Sequence, residues 1–298
     1  MQTASEIRTK ITTEIIFALT SCKLPPWRKP WNDDPNSPGL HTSLSTKNSY
    51  RGINQLLLQL AANRHNFASK WWGTFQQVKN LGGHVCRGAK GTQVVFYKPI
   101  KRTRTDDNGK EKDDSFCVLK TFVIFNVEQT TGLDQFRVGF DQPAQDTAEK
   151  YEQAESVIAS IGADIRFGNQ AYYSPQHDFI QCPFRHQFES AESYYQTLCH
   201  ELVHWTEHPN RLNWDRANQG YPMGEIIAEI GGCFLMGELG LPTTQNMDNH
   251  VSYINGWLSA MNNDPAFIFK ASSQASKAAE YLLSFSRTLE PDLEEVPF

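Results

Sequence analysis

Ile7, Ile11, Ile15 and Leu19 recur every four residues, so one apolar stripe runs down a helix. The pattern predicts an amphipathic helix at the N-terminus, packed on its own domain. Prolines at 25, 26 and 30 then keep the following residues extended, and 36–50 is polar and turn-rich. A second helix is expected over 55–62 and a short third over 71–83, where Gly82 and Gly83 stop it. From Thr92 the period changes: 92–98 and 116–125 read as two strands of a hairpin around a polar tip, 101–114. These elements make an α+β domain over 1–127. The stretch 128–146, with Gln142-Pro143-Ala144-Gln145-Asp146 and few apolar positions, reads as a linker. Beyond it a second domain, 147–290, opens with a helix over 147–161 and a short strand pair at 171–175 and 178–183. Ser190 caps the next helix, whose stripe is Leu198, Leu202 and Val203 and whose stop is Pro209. Residues 224–236 form another helix, apolar on most faces, and His250, Tyr253 and Trp257 share a further one. The acidic, proline-bearing 291–298 is expected to be a loose tail.

Composition narrows the class. At 298 residues two domains are natural, and 39% hydrophobic with 20% charged residues is the balance of a water-soluble globular protein. The net charge of −5 hides an asymmetry: residues 1–130 hold 19 Lys and Arg against 10 Asp and Glu, net +9, and the rest hold 9 against 23, net −14. A basic first half facing a polyanion, joined to an acidic second half, follows. The six cysteines form no C-x-x-C pair, which fits free thiols in a reducing cytoplasm. No stretch is apolar for long enough to span a membrane, and 1–21 carries charges that a signal peptide lacks.

The chemistry centres on His200-Glu201-Leu202-Val203-His204. On a helix, residues four apart stand one above the other, so both imidazoles can reach one metal ion. Glu201, rotated off that row, is placed to take a proton from water, the general-base role in zinc peptidases. A catalytic metal of this kind takes a third protein ligand. His208 lies roughly 12 Å from His200 along the helix axis, too far for one ion. The next helix carries Glu225 and Glu229, four apart on one face of an apolar segment. One of the two should ligate and the other should orient a ligand, since a buried unpaired carboxylate is costly. Tyr172 or Tyr173 is a candidate to line a substrate groove beside an edge strand, with a packed core tyrosine as the alternative. His250 and Tyr253 are candidate donors to a developing oxyanion, with ordinary packing as the alternative for each.

In the first half, aromatic and basic residues interleave: Trp27, Arg28, Lys29, Trp31, Lys47, Tyr50, Arg51, Lys70, Trp71, Trp72, Lys90, Tyr97 and Lys98. Stacking platforms plus cations are what binding of single-stranded nucleic acid requires; the alternative is core tryptophans beside a solvated lysine face.

Two resemblances sharpen these readings. His-Glu-x-x-His followed by Glu-x-x-x-acid on an apolar helix resembles the gluzincin metallopeptidases, which implies Glu225 as ligand and Glu229 as its support. Trp27 and Trp31, Tyr50-Arg51-Gly52-Ile53-Asn54, Trp72-Gly73-Thr74-Phe75, Gly82-Gly83, Lys90-Gly91 and Val94-Val95-Phe96 resemble the N-terminal domain of ArdC-type antirestriction proteins, shared with TraC-type plasmid primases. Tyr194-Tyr195, His200–Trp205, Arg211-Leu212 and Glu225–Glu229 fit the zincin-like half of the same family. Gly224 departs from the pattern, which leads one to expect a further acid there. The resemblance implies a cytoplasmic, plasmid-encoded protein that binds single-stranded DNA and protects incoming conjugative DNA from host restriction. It also implies one divalent metal, zinc first with manganese or cobalt as alternatives, and a metallopeptidase-like site whose protein substrate is unidentified. The competing expectation is a non-catalytic coat for single-stranded DNA with a structural or vestigial metal site.

Overall fold

The stripe of Ile7, Ile11, Ile15 and Leu19 is the buried face of helix α1 (Ala4–Ser21). A computed structural model describes residues 3–21, 25, 27–28, 36–100, 103–105, 111–113, 116–138, 147–214, 220–244 and 251–287. Lys29, Trp31, His250, the hairpin tip at 106–110, 139–146 of the expected linker and the 291–298 tail lie outside them. After α1 come β1 (Thr42–Ser43), α2 (Ile53–His65), β2 (Trp71–Gly73), α3 (Phe75–Asn80), β3 (His84–Val85), β4 (Thr92–Ile100), β5 (Thr103–Thr105), β6 (Glu111–Asp113), β7 (Phe116–Asn126) and β8 (Thr130–Thr131).

Four of these strands form one sheet in the order β1-β2-β7-β4. The hairpin is as the two apolar runs predict: β4 and β7 pair antiparallel from Thr92 opposite Ile124 to Ile100 opposite Phe116. Helix α2 covers the sheet with Leu58, Ala61 and Ala62, packed against Trp72, Val94 and Ile124. One expectation is corrected: 71–83 is not a single helix. Trp71–Gly73 is a strand, parallel to β1 and antiparallel to β7, because bulky aromatic residues favour a pleated, half-buried surface. The helix starts only after Thr74, whose hydroxyl accepts from the Gln77 amide at 3.2 Å while Gln77 Oε1 accepts from the Thr74 amide at 2.8 Å. That reciprocal pair is a capping box.

The second half runs α4 (Thr147–Ile161), β9 (Ile165–Phe167), β10 (Tyr172–Ser174), β11 (Phe179–Cys182), α5 (Ala191–Trp205), α6 (Tyr221–Glu238), α7 (Val251–Asn263) and α8 (Phe267–Ser284). Its small sheet has the order β10-β11-β9, which leaves β10 at an edge. The strand pair is where the sequence expects it; β9, parallel to β11, and helix α8 are additions. Ala271, Ala275, Ala278 and Ala279 give α8 a buried small-residue face that lets it lie close to α6.

The two halves share a core. Ile7, Ile11, Ile15, Leu19, Trp27 and Leu56 belong to one continuous apolar cluster with Leu202, Ile226, Ile230, Trp257 and Leu282. Helix α1 therefore does not pack on its own domain alone, and Thr12 Oγ1 donates to the Pro265 carbonyl at 2.8 Å. The Gly52 amide donates to Ser276 Oγ at 2.8 Å, and a Cβ on Gly39 would fall 1.9 Å from the Gly237 carbonyl oxygen. No helix among the described residues is long and apolar enough to cross a membrane.

Candidate metal centre

Helix α5 begins where Ser190 Oγ accepts from the Ser193 amide at 3.2 Å, satisfying one of the free N–H groups of the first turn. Leu198, Leu202 and Val203 bury one side of it completely or nearly so. Opposite runs α6, which brings two glycines to the crossing. A Cβ on Gly231 would meet Val203 Cγ2 at 2.9 Å, and one on Gly232 would meet the His200 amide nitrogen at 3.2 Å. Close approach of the two helices sets Glu225 against both histidines. Glu225 Oε2 is 3.5 Å from His200 Nε2 and Glu225 Oε1 is 3.6 Å from His204 Nε2. One donor atom from each of the three residues lies within 4.8 Å of the others.

Those spacings fit a common ion. Donors about 2.1 Å from a tetrahedral metal are separated by roughly 3.4 Å, close to the distances found between Glu225 and each histidine. Two imidazoles and one carboxylate also match the chemistry of a catalytic zinc set that leaves a position open. His208 is not in the cluster: the helix ends at Trp205.

The electrostatics follow from burial. Burial works against a charged His204, yet hydrogen bonding to Glu207 and Glu225 outweighs it and pushes the imidazolium up to about 9. For Glu225, burial would raise the carboxyl, but the two histidines hold it far below the ordinary range. Glu207 was missed from the sequence. It stands three residues after His204, and its Oε2 lies 3.6 Å from His204 Nδ1, as expected of a group that orients an imidazole from behind. The i, i+3 spacing of two polar residues at a helix end was the available signal. Trp214 stacks on His204 with ring centroids 6.1 Å apart, and its Nε1 donates to Thr206 Oγ1 at 2.8 Å.

Glu229, expected to support a ligand, is held by the first half. Its Oε1 accepts from Arg28 Nε at 2.7 Å and from Trp27 Nε1 at 3.3 Å, with both charged side chains fully buried. Trp27 meets Trp257 edge to face at 6.0 Å, and Trp257 stacks on Tyr253 at 6.3 Å.

The centre opens into a cleft of about 620 Å³ lined by His200, Glu201, Glu225, Tyr172, Tyr173 and Tyr253, among others. Glu201 is buried to 8% exposure yet reaches this cleft. Strand β10 forms part of its wall. Arg211 fixes that wall to the end of α5: Nη1 donates to Asp178 Oδ2 at 3.0 Å, Nη2 to the Tyr173 hydroxyl at 2.9 Å, and the guanidinium lies 3.8 Å over Trp205. The Arg211 hydrogen bonds hold the Asp178 carboxyl below the usual range. Tyr253 bonds to the Tyr221 hydroxyl at 3.0 Å at the cleft's other side.

The expected nucleic-acid residues divide. Trp27, Arg28 and Trp72 are corrected: at 6%, 2% and 0% exposure they have no ring face or guanidinium to offer a strand. Arg28 neutralises Glu229, and Trp72 fills the core under α2 while its Nε1 donates to His41 Nδ1 at 2.9 Å. Lys70 is likewise buried, donating to the Gly39 carbonyl, and burial pulls its ammonium down to about 7. Lys47, Arg51 and Lys90 are exposed, and Tyr50 and Trp71 are half-buried. Lys47 Nζ sits 4.7 Å over the Trp71 ring and 3.8 Å over Phe136.

Comparison with known proteins matches both halves. A family model described as the N-terminal domain of anti-restriction factor ArdC covers residues 5–125, and one described as a zincin-like metallopeptidase covers 152–274. The metal-free crystal structure of the antirestriction ArdC protein from plasmid R388 is 36% identical, with a TM-score of 0.75 over 94% of this chain and 98% of that one. Its Mn(II)-bound structure is 34% identical, with a TM-score of 0.73 over 95% and 99%. The Escherichia coli DNA primase TraC is 36% identical over 284 residues, which are 88% of this chain and 26% of the primase. The chain thus spans about a quarter of that relative. A Sinorhizobium fredii protein designated y4eC is 31% identical over 290 residues, 94% of this chain and 92% of its own.

Proposed function

The chain belongs to the ArdC-type antirestriction family, and from that premise we propose that it protects incoming plasmid DNA by joining single-strand binding in its first half to metal-dependent peptide cleavage in its second. The observation that carries the second part is the meeting of His200, His204 and Glu225 donors within 4.8 Å, with Glu201 beside them in the same cleft. His200, His204 and Glu225 are the proposed ligands of a divalent ion, and the Mn(II)-bound relative supports an ion of that charge. Bound there, the ion supplies Lewis-acid polarisation of a carbonyl.

The remaining work falls to side chains. Glu201 takes the proton of the attacking water and later returns it to the leaving amine. Glu207 holds the His204 ring from its Nδ1 side. An extended substrate backbone lies along the edge of β10, in the cleft that Tyr221 and Tyr253 also line. A purely structural metal site has no use for Glu201, which favours catalysis over the coat-only reading.

The test is conjugation into restricting and non-restricting recipients with wild type, Glu201→Gln and His200→Ala, each first checked for folding, metal content and oligonucleotide affinity. Glu201→Gln is expected to keep metal and DNA binding and to lose protection only in restricting hosts. Full protection by Glu201→Gln would sink the catalytic reading and leave the protein as a DNA coat.

A further inference from the structure

The burial of Trp27, Arg28 and Trp72 leaves open which surface a single strand would meet. Of the seven exposed large apolar side chains described in the first half, four lie together on the β4–β7 hairpin: Phe96 is 44% exposed, Tyr97 40%, Phe122 48% and Val123 53%, while Phe17, Phe75 and Leu81 lie elsewhere. The register pairs Phe96 with Lys120 and Val94 with Phe122, so Phe96, Lys120 and Phe122 share one face. The two phenyl rings stand 6.1 Å apart at 73°, and Tyr97 lies on the opposite face. Rings exposed on both faces of a two-stranded ribbon are not buried by the fold, and exposed apolar groups of this size mark contact sites.

Charge along the hairpin identifies the occupant. In sequence β4 and β7 carry Lys98 and Lys120 and no acidic residue, and the five acids of 92–126 all lie in 106–114. At the foot of the legs, α1, α2 and β4 enclose a groove of about 410 Å³ lined by Lys10, Arg64, His65, Lys90, Gln93 and Glu14, among others. Lys10 Nζ donates to Gln93 Oε1 at 3.3 Å across it. Gln93 thus belongs to the groove and to the ribbon, with Phe96 about 10 Å further along the strand. Protein interfaces are depleted in lysine at their centres, whereas aromatic rings beside Lys120 and a groove that sets Lys10, Arg64 and Lys90 against one acid, Glu14, suit a polyanion that offers flat unpaired rings. A duplex hides its base faces; a single strand does not.

We propose that the single strand is bound here, its phosphates running through the Lys10–Arg64–Lys90 groove and its bases stacking on Phe96 and Phe122. This rests on the single-strand reading above and names the surface. The test is fluorescence anisotropy of the full-length protein with a labelled oligothymidylate of about 25 nucleotides, with a duplex as competitor, across a salt series. Phe96→Ala/Phe122→Ala is expected to weaken binding by about 30-fold or more, at roughly one stacked base per ring, with the salt slope unchanged. Lys10→Gln/Arg64→Gln/Lys90→Gln is expected to lower the slope by about 2, at ~0.7 per lost phosphate contact. If wild type binds no oligothymidylate, the single-strand reading itself fails. If wild type binds and both variants bind within twofold of it, that reading stands and this surface is wrong. Equal competition by duplex would overturn stacking, and a change in sedimentation caused by the phenylalanine substitutions would make the rings a contact between copies. Should the alanine pair not fold, Phe96→Leu/Phe122→Leu keeps the apolar area, removes the aromatic face and is held to the same expectation.

Discussion

A single ion pair decides how Trp27 and Arg28 should be understood. In sequence they read as part of a basic, aromatic DNA surface, because a pair joined across two hundred positions leaves no local pattern. In the fold Arg28 neutralises Glu229 at 2.7 Å with both side chains fully buried, one turn beyond the proposed ligand Glu225 on α6. Breaking a buried pair from one side costs far more than removing it whole. Arg28→Met is therefore expected to destabilise by roughly 3–5 kcal/mol, read as a fall in the denaturant midpoint at unchanged slope, while Arg28→Met/Glu229→Gln recovers most of the loss. A double variant no better than the single one would show that Arg28 packs rather than neutralises. At this scale His200, Glu201 and His204 were legible because four-residue spacing on a helix is a local rule. Glu225, the expected ligand, stands 3.5 Å from His200 and 3.6 Å from His204. Glu207 was readable and overlooked, and Arg28 was not readable at all.

Between elements, what matters is how closely α5 and α6 approach, and there two forces compete. Glycine in the middle of a helix costs about 0.5–1 kcal/mol relative to alanine, so Gly232→Ala should help α6 taken alone. The added Cβ would sit 3.2 Å from the His200 amide and 3.4 Å from the Cys199 carbonyl carbon. That is backbone, which cannot rotate away, so the helices must part by a few tenths of an ångström at the residue that carries a proposed ligand. Overpacking of this sort costs about 1–3 kcal/mol, and the sum is a net loss of about 1 kcal/mol. The midpoint of thermal unfolding of the metal-free protein should fall modestly, and metal affinity measured by chelator competition should fall with it. An unchanged affinity would mean that the crossing does not set the donor spacing. Glycine in α6 was visible in the sequence, its reason was not, because a pattern along one helix says nothing of how near the next one lies. The same limit hid β2: Trp71 and Trp72 look helical beside Phe75–Asn80 until the partners in β1 and β7 are known.

Two family models, a charge asymmetry and a polar stretch between the halves all suggest a chain divisible into a DNA-facing unit and a metal-holding unit, yet the core runs through both. Ile7, Ile11, Ile15, Leu19, Trp27 and Leu56 lie in the same apolar cluster as the helices that hold His200 and Glu225. Burying side chains of this kind contributes about 1.5–3 kcal/mol each, so six of them contribute on the order of 10 kcal/mol, as much as a whole domain's net stability. Cutting the chain at 146 would strip that cover from the second half and leave Glu229 without Arg28. Residues 147–298 alone are expected to lack a cooperative thermal transition and to bind dyes that report exposed apolar surface, whereas the full chain unfolds in one calorimetric step. A fragment that melts cooperatively near the full-length midpoint would show instead that the second half closes its own core. The coupling bears on the proposed function: a strand bound to the basic half and a metal held by the acidic half would act on one folded body, so oligonucleotide binding should raise the midpoint of the single transition, in line with mass action.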